Sequence, residues 1–177
     1  MIMKARVSIV VAAAAITATL MSMPSPASAA ADPIDFTAQA LASGLTATQS
    51  ADLQKRVNEV LAAIPGGRQV SATEVRYDGL NVTVDPLFSD ESSQAVNAIS
   101  CREFYFCIDV LGTRFDFLTC RTWALSNWWG WSPFNNNQTW GTVARAYAED
   151  GTTEVWSHTA KGSGWVDVGP WWYFRPC

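Results

Sequence analysis

Aromatic and cysteine residues crowd one part of this chain. Of its 177 residues, those from Ile99 to Cys177 hold all nine Trp, six of the eight Phe, three of the four Tyr and all four Cys. From Ala31 to Ala98 the aromatics are Phe36, Tyr77 and Phe88, and cysteine is absent. Stretches of such different chemistry predict two structural units, residues 31–98 and residues 99–177. The polar cluster Ser89–Ser93 is the expected join, because Ser and Asp favour turns and loops.

Residues 1–30 read as a signal peptide. Lys4 and Arg6 form a charged start, Val7–Leu20 is apolar, and Ala27, Ser28 and Ala29 make an A-x-A cleavage site. The apolar run is shorter than the roughly 20 residues a membrane span needs. The expected location is therefore outside the cell. The full chain has a formal net charge of −4, which becomes −6 without Lys4 and Arg6. An acidic chain with no basic run lacks the footprint of a nucleic-acid binder. It is equally unsuited to anionic membrane surfaces. A soluble monomer is expected.

The front unit has clear local signals. Leu53, Val57, Val60, Leu61 and Ile64 follow the spacing of one helical face. Thr46 with Gln49 three residues on is a capping box, and Pro65, Gly66 and Gly67 stop the helix. The helix should run over about Ala47–Ile64. Thr73–Tyr77 and Leu80–Val84 alternate around Asp78-Gly79, a hairpin signal.

The back unit reads as all-β. Phe104, Phe106 and Ile108 alternate, as do Phe115 and Phe117, and Thr153, Val155 and Ser157. Gly112, Gly130, Gly151 and the Gly162–Gly164 segment supply turns. Short strands with frequent turns indicate a sandwich or barrel. No strong helical face follows Ile99.

An even cysteine count in a secreted chain implies disulfides, and four cysteines allow three pairings. Nearness in sequence favours Cys101–Cys107, leaving Cys120–Cys177 to close most of the unit. The loops would contribute about 2 and about 4 kcal/mol respectively in the chain-entropy description. Cys101–Cys107 requires a bend within Arg102–Phe106, where no Gly or Pro helps. The rival pairing is Cys101–Cys120 with Cys107–Cys177. Zinc is excluded by the absence of a Cys-x2-Cys pair and by a single histidine.

Catalytic constellations are missing. His158 is the one histidine, and no Gly-x-Ser-x-Gly nucleophile elbow accompanies it. Asp109 and Asp116 flank the Gly112 turn as the available carboxylate pair. A glycosidase also needs a sugar cleft and a separation of about 5–9 Å. No phosphate loop is present. Neither an enzyme nor a cofactor or metal is expected.

Surface recognition remains. Trp128, Trp129, Trp131 and Phe134 are crowded around Gly130 and Pro133. Neighbours on a strand point to opposite faces, so these rings cannot all enter one core. Exposed aromatics mark interfaces or sugar platforms, and these four are the expected binding surface.

The segment Cys101–Cys107, then Gly112–Phe117, Cys120, Asn136–Thr139 and Gly141-Thr142, resembles the small secreted actinobacterial proteins of peptidase inhibitor family I36. That family is similar to βγ-crystallins. The resemblance implies an all-β, double Greek-key sandwich over residues 99–177, following the helix and hairpin segment. Tyr105 with Gly112 fits the aromatic-x6-Gly corner of that motif. Leu45–Val70 looks like a lead-in found before such domains. Two departures limit what carries over. The second short disulfide loop of characterised inhibitors is missing, so no reactive bond is assigned. Asn135–Thr139 matches the first five places of a crystallin calcium motif, but Trp140 replaces its closing Ser. The implied function is inhibition of an extracellular protease. The alternatives are a cell-wall or polysaccharide-binding module using exposed Trp, and a secreted antagonistic toxin on the same fold.

Overall fold

The computed structural model describes residues 36–88, 99–125 and 128–177. The expected signal peptide and the expected join at Ser89–Ser93 lie outside these residues. The described chain is a mixed α+β fold with two antiparallel sheets.

A six-residue helix α1 (Thr37–Ala42) precedes α2 (Ala47–Ala63). α2 starts where its capping box forms. The Gln49 N–H donates to Thr46 Oγ1 at 3.2 Å, and the Thr46 N–H donates to Gln49 Oε1 at 2.9 Å. Two of the orphan donors at this helix start are thereby satisfied. Leu53, Val57, Val60 and Ile64 are buried along its length. Pro65 ends the helix, and Gly66 takes φ +89° just beyond.

Three strands follow: β1 (Arg68–Gln69), β2 (Glu74–Tyr77) and β3 (Leu80–Val84). β2 and β3 form the expected hairpin, with Tyr77 opposite Leu80 and Gly79 at φ +81° in the turn. The remaining strands are β4 (Phe106–Val110), β5 (Thr113–Phe117), β6 (Trp123–Ala124), β7 (Trp131–Asn136), β8 (Val143–Tyr147), β9 (Glu154–Thr159), β10 (Gly162–Asp167) and β11 (Tyr173–Arg175). No helix follows Ile99 among the described residues.

The larger sheet runs β1-β2-β3-β5-β4-β7-β10, and the smaller runs β6-β11-β8-β9. Strands from both predicted units share the larger sheet. β3 pairs with β5 over five residues, from Leu80 opposite Phe117 to Val84 opposite Thr113. The hairpin therefore extends the sheet of the aromatic half, and residues 35–177 make one compact unit.

One face of the larger sheet is largely apolar, with Ser132 and Asn136 as buried polar exceptions. Val75, Tyr77, Leu80, Val82, Phe106, Ile108, Phe115, Phe117 and Phe134 are all buried. Two coverings share that face. α2 covers the β2 end, where Tyr77 Oη donates to the Val60 carbonyl at 3.3 Å. The smaller sheet covers the rest. Its Phe174 ring lies 4.7 Å from Phe106 and 4.9 Å from Phe117, and its Trp156 ring lies 5.2 Å from Phe134.

The strand order repeats itself. β4 and β5 form a hairpin, β6 joins the other sheet, and β7 returns beside β4. β8 and β9 form a hairpin, β10 joins the other sheet, and β11 returns beside β8. Disulfides link Cys101 to Cys107 and Cys120 to Cys177, the pairs that nearness in sequence favours.

Candidate functional site

The four aromatics expected to form one surface are dispersed. Trp128 is buried, with its ring 4.7 Å from Phe115 and 6.1 Å from Trp171. Phe134 is buried against Trp156, His158 and Phe106. Both rings lie in the core, whereas the sequence reading puts them on the binding surface. β7 explains Phe134: its even-numbered residues face the sandwich interior and Trp131 faces away. Trp129 and Trp131 are 60% and 71% exposed. They differ in setting. Trp129 stands at the rim of a cleft of about 270 Å³ between α2, the β4–β5 turn and Trp128. Trp131 stands on the outer face of the larger sheet, opposite Asp167 of β10 and diagonal to Trp165.

The cleft is apolar at its floor, through Val60, Ile64, Val110, Phe115 and Trp128. Arg56 lies at its edge but is already engaged. Its Nη1 donates to the Asp85 carbonyl at 2.6 Å, and its Nη2 donates to the Leu111 and Gly112 carbonyls at 3.0 Å each. Burial lowers its pKa, against the raising influence of Asp85, Asp109 and Glu59. Arg56 is a clamp between helix and turn.

The loop closed by Cys101 and Cys107 has a different character. Phe104 sits at its tip, 57% exposed, with φ +74°. A bulky residue in the left-handed region is an outlier that its surroundings must enforce. Here the enforcement is visible. The Phe104 N–H donates to the Asn137 carbonyl at 2.9 Å, and the Asn137 N–H donates to the Tyr105 carbonyl at 3.0 Å. Asn137 Nδ2 donates to the Cys101 carbonyl at 2.9 Å, and the Tyr105 N–H to the Arg102 carbonyl at 3.2 Å. The Arg102 guanidinium lies 5.7 Å from the Tyr105 ring centroid. Lys161 Nζ is 3.4 Å from Glu103 at the surface. An exposed aromatic is thus held on a loop with little freedom. Sequence reading missed Phe104 as a contact residue. The available signal was the bend required within Arg102–Phe106, which without Gly or Pro must strain another residue.

The other candidates are accounted for by structure. Arg114 Nε pairs with Asp116 at 2.7 Å, and Asp109 accepts from the Gly112 N–H at 2.9 Å. Burial raises the Asp109 pKa. His158 stacks on Trp156 at 5.9 Å, and burial lowers its pKa. In the calcium-like segment, Asn135 and Asn136 donate their Nδ2 groups to the Ile99 and His158 carbonyls, each at 3.0 Å. With Asn137 on Cys101, the three amides pin neighbouring segments together. Among the described residues no group of three or more His, Cys, Asp or Glu could hold a metal. Among the described residues, too, no helix is long and apolar enough to cross a membrane. No family model, curated protein or solved structure matches this chain.

Proposed function

We propose that this is a secreted peptidase inhibitor-like protein of the double Greek-key, βγ-crystallin-like kind, and that it seats the Cys101–Cys107 loop against an extracellular protease. The observation that carries the reading is Phe104, an exposed aromatic locked in place by a disulfide and by Asn137. Binding orders side chains and loops at a free-energy cost, and a loop already ordered avoids much of it. Large apolar side chains seated in a partner's pocket dominate such interfaces. The repeated strand order, with each hairpin's third strand given to the opposite sheet, supports the Greek-key part. The resemblance in cysteine and Asn spacing supports the inhibitor part.

A panel of secreted serine and metalloproteases tests this. The full protein should inhibit at least one, and Phe104→Ala should weaken that inhibition about 30-fold while leaving the fold intact. Absence of inhibition across the panel rejects the inhibitor reading. Inhibition that survives Phe104→Ala unchanged moves the contact surface elsewhere.

A further inference from the structure

Among the described residues the two sheets have four unpaired edges, and they are not alike. β1 and β6 are two residues long, and β1 opens with Arg68. β9 is paired through a register shift between Ala146 and Tyr147. β10 differs from all three. It is six residues long, pairs with β7 in unbroken register from Gly162 opposite Asn136 to Asp167 opposite Trp131, and contains no Lys or Pro. Natural sheets usually blunt an edge with charge, proline, a bulge or shortness, because a free edge is a template for another strand. β10 has the length, the unbroken register and no proline, and its one charge is Asp167 at its last position.

Its geometry is self-complementary. The Val168 N–H donates to the Gly130 carbonyl, which fixes the alternation of the β7–β10 ladder. Residues 162, 164 and 166 then bond inward to β7, and Ser163, Trp165 and Asp167 direct their backbone groups to the free edge. Those same three residues are exposed on the outer face, with Trp165 at 38%. We propose that β10 is a homodimer edge: two copies pair their β10 strands antiparallel about Trp165, joining two larger sheets into one. In this register Trp165 faces Trp165 of the second copy, and Ser163 faces its Asp167. Trp131, diagonal to Trp165 on the same face, flanks the pair, so four tryptophans form one row. Lys161, which pairs with Glu103 in its own copy, lies diagonal to Asp167 of the second copy at both ends, an opposite-charge match. Each copy supplies what the other lacks, and no second kind of chain is required. This state differs from the monomer expected from sequence, and it does not depend on the inhibitor reading.

Sedimentation over a concentration series tests the proposal. The wild-type protein should sediment as a dimer at high concentration. Trp165→Lys should raise the dimer dissociation constant about 30-fold or more, with an unchanged melting temperature. Trp172→Lys, at an exposed Trp just before β11, should leave the dimer intact. Register is tested by oxidation. Opposed residues in a hydrogen-bonded pair have Cα atoms about 5.5 Å apart, within disulfide range. Trp165→Cys should therefore crosslink two copies, and Ser163→Cys should not. A wild type that remains monomeric throughout overturns the proposal, whether or not it is retained on insoluble polysaccharide through the Trp131 and Trp165 pair. A dimer insensitive to Trp165→Lys overturns it as well.

Discussion

A phenylalanine at φ +74° costs the folded chain roughly 1–2 kcal/mol, because its Cβ crowds the following carbonyl. Phe104→Gly removes that strain and also gives the unfolded chain more freedom, so the net gain should be about 1 kcal/mol. Thermal melting should rise by a few degrees while inhibition of the target protease falls. A variant less stable than wild type would show that the Phe104 ring supports the fold. Tyr77 gives a second test. Burial pushes its phenol up to about 12. Its folded pKa thus lies above the unfolded value of about 10, so stability is full below pH 10 and is lost as pH rises towards 12. The loss should be roughly 2–3 kcal/mol at its limit. Urea midpoints at pH 9 and pH 11.5 should differ for wild type, and that component should vanish in Tyr77→Phe. At this scale the sequence was half legible. Adjacent aromatics had to split between inside and outside, and Trp129 and Trp131 are outside. Which ones would turn inward depended on the register of β7, and no local signal sets that register.

α2 is held to the sheet by more than its apolar face. Arg56 satisfies three backbone carbonyls around the β4–β5 turn and the segment after β3. Removing it would strand the Leu111 carbonyl in a half-buried seam, while the Gly112 and Asp85 carbonyls keep the N–H groups of Asp85 and Phe88. Arg56→Ala should cost about 1–2 kcal/mol in urea unfolding. Arg56→Lys should recover only part of this, because an ammonium cannot reproduce the planar fork. Full recovery by Lys would show that charge, rather than geometry, holds the helix. The long elements were legible because their signals are local: a capping box and a 3.6-residue period for α2, and Asp78-Gly79 for the hairpin. α1 is under two helical turns and β1, β6 and β11 have three residues or fewer, too few for a period to register. Arg56 itself looked like a solvated helix residue, since its three partners lie 29 to 56 residues away.

Five residue pairs between β3 and β5 bind the aromatic half to the front half. The composition change near Ile99 therefore falls between strands of one sheet. Heat should unfold the protein in one calorimetric transition, and residues 99–177 expressed alone should aggregate, with the β5 edge and the face of Phe115 and Phe117 uncovered. Two resolved transitions, or a soluble 99–177 fragment with sharp side-chain signals, would show two units after all. The sequence could not reveal this pairing, because non-local strand contacts leave no mark on neighbouring residues. The placement of β11 has a consequence for synthesis. In space it lies between β6 and β8, yet it follows both along the chain. A ribosome delivers β6, β8 and β9 with a vacant place among them, and Phe174, whose ring packs on Phe106 and Phe117, arrives later still. Nothing made earlier can fill that place. Until residue 175 emerges, the growing chain must be kept from closing on itself wrongly, and the sandwich is completed in one late step.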